Sequence, residues 1–257
     1  MIDFNNSVVL VGGLGAGKSL IARTLSKKHK VEYITVDEFR HLPSLKVIKQ
    51  VLGDHTTPPR KHDQFLHYKH LREKYPTIKS YDDFGFKMNV AEYLRHNFGI
   101  VAWHFYVKPF ENMLIKDICE KVNGSIILDT GAGFAVSLDD NYSRLKTKFE
   151  SLDKKLFNKE FNHLEYVNKD VTYNLFKPFK HVYYITMPED KALRSEKAQG
   201  DELNKYALSS GDYEKVSTHT VDTTGLFSTK PYNDGALHQI IENIEDNYFN
   251  NQSDSVM

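Results

Sequence analysis

Cysteine is nearly absent from this chain: Cys119 is the single one in 257 residues. An internal disulfide is therefore excluded, and a reducing compartment is expected. Cys119 lies in the helical pattern Phe110-Glu111-Asn112-Met113-Leu114-Ile115-Lys116-Asp117-Ile118. There it reads as core filler rather than as a nucleophile. Excess charge of either sign is also lacking, because 34 Lys and Arg balance 34 Asp and Glu. No global field then favours nucleic acid or an anionic membrane as the main partner. No apolar run approaches the ~20 residues of a membrane span, so no membrane partner is expected. The opening Met1-Ile2-Asp3-Phe4 has no basic stretch ahead of an apolar one. A secretory signal is not expected, and a cytoplasmic location is. Internal repeats are missing as well. Hydrophobic residues make up 40%, enough to build the core of one domain with insertions.

What is present begins at Gly12. Gly12-Gly13-Leu14-Gly15-Ala16-Gly17-Lys18-Ser19 fits G-x-x-x-x-G-K-[ST], whose backbone N–H groups cradle phosphates. The apolar run Ser7 to Val11 precedes it, and Ser19 to Leu25 follows with helical spacing. Strand, glycine turn and helix are the setting the motif requires. The residues from Gly12 to Leu20 are the candidate nucleotide-binding set, aided by the positive end of the helix. Lys18 supplies a charge for the β- and γ-phosphates. Ser19 offers a hydroxyl to Mg²⁺, which prefers oxygen ligands.

Further strands are predicted at Val31–Val36, Ile126–Asp129, His181–Thr186 and Ser217–Asp222. Helices are predicted at Pro109–Val122, Glu189–Gln199 and Asp234–Tyr248. Strands alternating with helices imply a parallel sheet covered on both faces, with ligands beyond the carboxyl ends of its strands. Three such ends carry chemistry: the glycine loop, Asp37, and Asp129 with Thr130-Gly131-Ala132-Gly133. Asp37 fits a base for an acceptor hydroxyl, or a helix N-cap before Glu38-Phe39-Arg40. Asp129 fits a Mg²⁺ ligand acting through water. Gly131, Ala132 and Gly133 fit a close approach of substrate to backbone, or an ordinary turn. Arg194 and Lys197 fit a closing lid or a charged surface helix. The helix read from Asp140 to His163 carries Arg144, Lys146, Lys148, Lys154, Lys155 and Lys159 on one face. It is either a solvated face or a platform for an anionic substrate. His55, His62, His67 and His70 cluster without cysteine or a metalloenzyme motif. They read as a polar segment or, less simply, as a zinc site.

GGLGAGKSLIARTLSKKHKVEYITVDEF resembles the opening of shikimate kinase and related small-molecule P-loop kinases. In that family the second strand ends in two aspartates one residue apart. Thr35 occupies the first position here and Asp37 the second, so the resemblance makes Asp37 the residue that contacts the substrate hydroxyl and accepts its proton. VKPFE matches the family's arginine-to-glutamate spacing with Lys108 and Glu111, which makes Lys108 a substrate residue. Gly131-Ala132-Gly133 is similar to the family's glycine triplet, and HVYYITMPEDKALRSEKAQG to its fourth strand and lid, which places Arg194 in the lid. The segment Leu208-Ser209-Ser210-Gly211-Asp212-Tyr213 holds no basic residue where the family has a carboxylate-binding arginine. Lysine lacks the planar fork of a bidentate carboxylate clamp, so the acceptor is expected to differ from shikimate.

The expected fold is α/β: a P-loop NTPase with a doubly wound, five-stranded parallel sheet and helices on both faces. It forms a single domain over 1–257, with two mainly helical insertions at about 42–104 and 137–180 and a disordered tail at 250–257. The expected activity is ATP- and Mg²⁺-dependent transfer of the γ-phosphoryl group to a hydroxyl of a small molecule. The alternatives are a nucleoside, nucleotide or nucleic-acid-end kinase, the basic helix then binding phosphates, and a nucleotide-dependent switch. A nucleic-acid partner is not favoured, and the oligomeric state is left open.

Overall fold

The computed structural model describes residues 1–36, 112, 114–131, 169–187, 202–228 and 232–249. The chain divides into two compact units. One comprises Met1–Thr35, Asn123–Val136 and Phe176–Met257, the other Val36–Val122 and Ser137–Leu175.

The first unit is built on five parallel strands: β1 (Val8–Val11), β2 (Glu32–Thr35), β3 (Ile126–Asp129), β4 (His181–Thr186) and β5 (His219–Asp222), in the order β2-β3-β1-β4-β5. All four residues of β1 and of β3 are buried, as expected for central strands covered on both faces. Val8 lies level with Ile127 on one side and His181 on the other. At the edge, β5 buries only Val221.

One face carries α1 (Lys18–His29) and α6 (Asp234–Phe249). Ile21, Ala22 and Leu25 of α1, with Leu237, Ile240, Ile241 and Ile244 of α6, pack on Val8, Leu10, Ile127, Tyr183 and Ile185. These spacings are helical, and each fully buried Leu or Ile stabilises by about 1.5–3 kcal/mol. The last turn of α1 is basic, with Lys27, Lys28 and His29, which suits the negative end of its dipole. On the other face, α4 (Glu202–Ser209) and α5 (Asp212–Val216) bury Ala207, Tyr213 and Val216. The Tyr213 ring stacks on Tyr184 of β4 at 5.3 Å.

In the second unit, residues 114–121 form α2, with Leu114, Ile115 and Ile118 buried. The hydroxyl of Thr172, on α3 (Lys169–Phe176), donates to Asn112 Oδ1 at 3.3 Å. This agrees with the helix expected at Pro109–Val122 as far as that segment is described.

β3 and β4 span the residues predicted for them, while β1, β2 and β5 are shorter at their ends. Polar side chains intercept the backbone there. The Ser7 hydroxyl accepts from Ile126 N–H at 3.1 Å, Ser26 donates to Val31 O at 2.8 Å, and Thr218 Oγ1 accepts from Val182 N–H at 3.0 Å. Helices α4 and α5 were not foreseen. α3 falls inside the stretch assigned to the second insertion, and the first insertion lies outside the described residues. Among the described residues, no helix is long and apolar enough to cross a membrane.

Candidate functional site

The glycine loop runs from the end of β1 to Gly17, the N-cap of α1, at the carboxyl edge of the sheet. Two of its glycines are required by their surroundings. Gly12 has φ 144°, and a Cβ there would lie 2.3 Å from the Ile185 carbonyl oxygen of β4. Gly17 has φ 96°, and its Cβ would meet Leu226 Cδ2 at 2.7 Å. Both conformations are disfavoured for other residues. No side chain caps the helix start, so the N-terminal end of α1 keeps donors and positive potential for an incoming anion.

Lys18 is 6% exposed. Its ammonium donates to the carbonyl oxygens of Gly12 and Gly13, both at 2.8 Å, which folds it back over the loop it follows. The Ser19 hydroxyl donates to Asp129 Oδ2 at 2.7 Å, and Asp129 Oδ1 accepts from Gly131 N–H at 3.1 Å. Asp129 is buried at the end of β3. Hydroxyl and carboxylate thus meet from two elements far apart in sequence, and both are hard oxygen donors of the kind Mg²⁺ takes. The Tyr33 hydroxyl lies 3.5 Å from the same Asp129 oxygen. Burial, then the Asp129 charge, pushes Tyr33 up to about 12, so it remains a phenol near neutral pH.

Three residues at this site were not anticipated. Asn204 of α4, buried, accepts the Leu14 N–H on Oδ1 at 2.6 Å. A Cβ on Gly13 would come within 2.8 Å of that oxygen. The Leu14 N–H is therefore engaged within the protein here. Thr223, also buried, places its hydroxyl 2.9 Å from Ala16 O and 3.0 Å from Thr186 O. It ties the loop after β5 to the glycine loop. Phe227, beyond Thr223, is 45% exposed. Its ring edge lies 3.5 Å from where a Cβ on Gly17 would stand. An exposed aromatic beside an anion nest is the kind of surface on which a flat base stacks.

The structure thus brings Gly12 to Leu20, Asp129 and Gly131 to one edge of the sheet. Asp37, Lys108, Ala132, Gly133, Arg194 and Lys197 lie outside the described residues, as do the four histidines and the basic helix. Cys119 is partly buried. Its thiol is pushed up to about 12, first by burial and then by Glu120, so little thiolate forms near neutrality. Among the described residues no group of three or more His, Cys, Asp and Glu could hold a metal.

No family model matches the chain, and no curated protein matches it in sequence. Solved structures similar to it include shikimate kinase from Acinetobacter baumannii in complex with shikimate. That pair is 16% identical, covers 96% of this chain and 94% of that one, and has a TM-score of 0.45. Shikimate kinase from Bacteroides thetaiotaomicron is 13% identical over 93% of this chain and 98% of its own, with a TM-score of 0.42. The fold itself is given by the all-parallel order β2-β3-β1-β4-β5 with the glycine loop after the central strand. It is the P-loop nucleotide-binding fold, as expected from the sequence.

Proposed function

We propose that the chain is an ATP- and Mg²⁺-dependent kinase that transfers the γ-phosphoryl group to a hydroxyl of a small molecule other than shikimate. One observation carries this reading. The Ser19 hydroxyl meets the Asp129 carboxylate at 2.7 Å, beside an ammonium held over a glycine nest. A nest, a cation and a pair of oxygen donors answer the needs of a triphosphate tail and its metal.

Phosphoryl transfer asks the protein mainly for positioning and charge stabilisation. Ser19, and Asp129 through water, would hold Mg²⁺, which when bound would neutralise phosphate charge. Lys18 offsets charge on the β- and γ-oxygens. The acceptor oxygen bonds to the γ-phosphorus as the bond to the β–γ bridging oxygen breaks. Asp37 accepts the proton the acceptor loses, a role worth ~10²–10⁴-fold in rate. Lys108 and the backbone of Gly131, Ala132 and Gly133 orient the acceptor, and Arg194 closes over the phosphates. Phe227 stacks on the nucleobase. Lysine at 108, and no basic residue from Leu208 to Tyr213, leave no arginine clamp for a carboxylate. The acceptor is therefore not shikimate. The setting is a reducing, cytoplasmic one.

The test is a panel of hydroxyl-bearing metabolites scored by ADP release beside an acceptor-free control. At least one small acceptor is expected to accelerate turnover well above that control. ATP turnover that no small acceptor accelerates would contradict the proposal.

A further inference from the structure

At the opposite edge of the sheet, where the strands begin, the first unit lines a half-open pocket of about 320 Å³. That is within the range of small-molecule sites. Its apolar lining comes from Val8 at the start of β1, Leu25 of α1, Ile127 of β3 and Ile244 of α6. Its polar lining comes from Asn6, His29, Ser125, Glu245 and Tyr248.

The helix ends at this cavity are both negative, and the basic last turn of α1, with Lys27, Lys28 and His29, offsets the share of α1. His29 is the last residue of α1, and Ile244, Glu245 and Tyr248 lie at the end of α6. Two helix C-termini therefore converge on the space, each equivalent to about half a negative charge. The last turn of α6 contains no basic residue to offset its share. The Glu245 carboxylate adds a full negative charge and is 15% exposed. Its Oε1 is 2.6 Å from His29 Nε2, and its Oε2 accepts from Lys28 Nζ at 2.7 Å. Lys28 is 48% exposed and is not part of the lining, so it holds the carboxylate from outside. The Tyr248 ring offers an aromatic wall, fixed by its hydroxyl donating to Asn6 O at 2.8 Å.

We infer that this cavity is a binding site for a small organic cation: an apolar, preferably aromatic body with an ammonium or amidinium head. The body fills the space between Leu25, Ile127 and Ile244. The head reaches Glu245 in place of Lys28 and lies within reach of the Tyr248 ring. The site shares α1 and β1 with the glycine loop but lies at their far ends; α1 alone spans about 18 Å. It stands apart from the kinase reading and can fail or hold without it.

The test is a protein-observed NMR titration of the full chain with benzamidinium chloride, repeated with benzoate. Benzamidinium is expected to give saturable shifts at His29, Glu245 and Tyr248 with Kd of about 1 mM or tighter, and benzoate at least ~10-fold weaker binding. Glu245→Gln should weaken benzamidinium at least ~10-fold. Ser125→Phe, which puts a ring into the lining without touching the charge, should weaken it comparably. Lys28→Ala, which releases one carboxylate oxygen, should tighten it. Melting curves establish that each variant is folded. The proposal is overturned by no saturable shift up to about 10 mM benzamidinium, or by benzoate binding as well as benzamidinium. Binding unchanged in a folded Glu245→Gln or Ser125→Phe variant, or not tightened by Lys28→Ala, would also overturn it.

Discussion

At the carboxyl edge of the sheet β1 runs out into a glycine loop and α1 begins; at the amino edge β1 starts and α1 ends. The same two elements therefore present opposite ends to two sites. At the first, the uncapped start of α1 meets the Lys18 ammonium, which is folded back onto the Gly12 and Gly13 carbonyls. At the second, the C-termini of α1 and α6 close around Glu245. The contrast teaches that a parallel α/β layer is polar along its strands. Anions suit the edge where helices start, and cations the edge where they finish. Side chains then sharpen what the backbone has already biased.

The largest expected effect comes from removing the charge at the anion edge. Lys18→Ala should reduce phosphoryl transfer at least ~10³-fold, measured as ADP release with the accelerating acceptor. It should leave the benzamidinium titration at the amino edge unchanged. A matching loss at both edges would mean that the variant disturbs the fold rather than one site.

Asp37→Asn separates binding from chemistry within the carboxyl edge. It should slow turnover by ~10²–10⁴-fold while the nucleotide Kd stays the same. Single-turnover kinetics beside a binding titration checks this. Unchanged turnover would remove Asp37 as the base.

A third prediction concerns the amino edge. His181, 1% exposed at the start of β4, packs on the rings of Tyr248 at 5.0 Å and His219 at 6.0 Å. Burial foremost, then His219 and Lys180, lowers it from 6.5 to about 4. The unfolded chain therefore binds the extra proton first. Stability should be full above about pH 6.5 and fall as the pH drops toward 4, by on the order of 3 kcal/mol. His219, lowered by burial, acts in the same direction. Urea unfolding at several pH values measures this. His181→Phe should flatten the profile, and an unflattened profile would assign the loss elsewhere.

The smallest effect is expected at Phe227. Phe227→Ala should weaken nucleotide affinity by ~1–2 kcal/mol, roughly tenfold, through lost stacking on the base. Transfer at saturating nucleotide should be little changed. Equal affinity in wild type and variant would remove Phe227 from the site.

Much of this was legible in the sequence, and the reason differs by element. β3 and β4 are contiguous apolar runs bounded by polar residues, and such runs have one natural reading in an alternating chain. The loop was legible because its spacing is fixed by phosphate geometry. Asp129 was legible because an acid ends a buried strand. Asn204 and Thr223 were not, because nothing local marks them. Asn204 meets Leu14 across 190 residues and Thr223 meets Ala16 across 207, and such pairings exist only once the sheet is assembled. α4 and α5 escaped because they are short and set among Gly200, Ser209, Ser210 and Gly211, where local breakers mask helical spacing. Nothing local marks Phe227 either, and only the turn after β5 lays it beside Gly17.

The central claim is that the loop from Gly12 to Ser19 grips the phosphates of a nucleotide. Titrating ADP and ATP into the folded chain by calorimetry, with and without magnesium, tests it most directly. Saturable heat is expected for both nucleotides, with tighter binding of ATP when magnesium is present and loss of binding in Lys18→Ala. No heat from either nucleotide, on protein whose melting curve is cooperative, would contradict the claim.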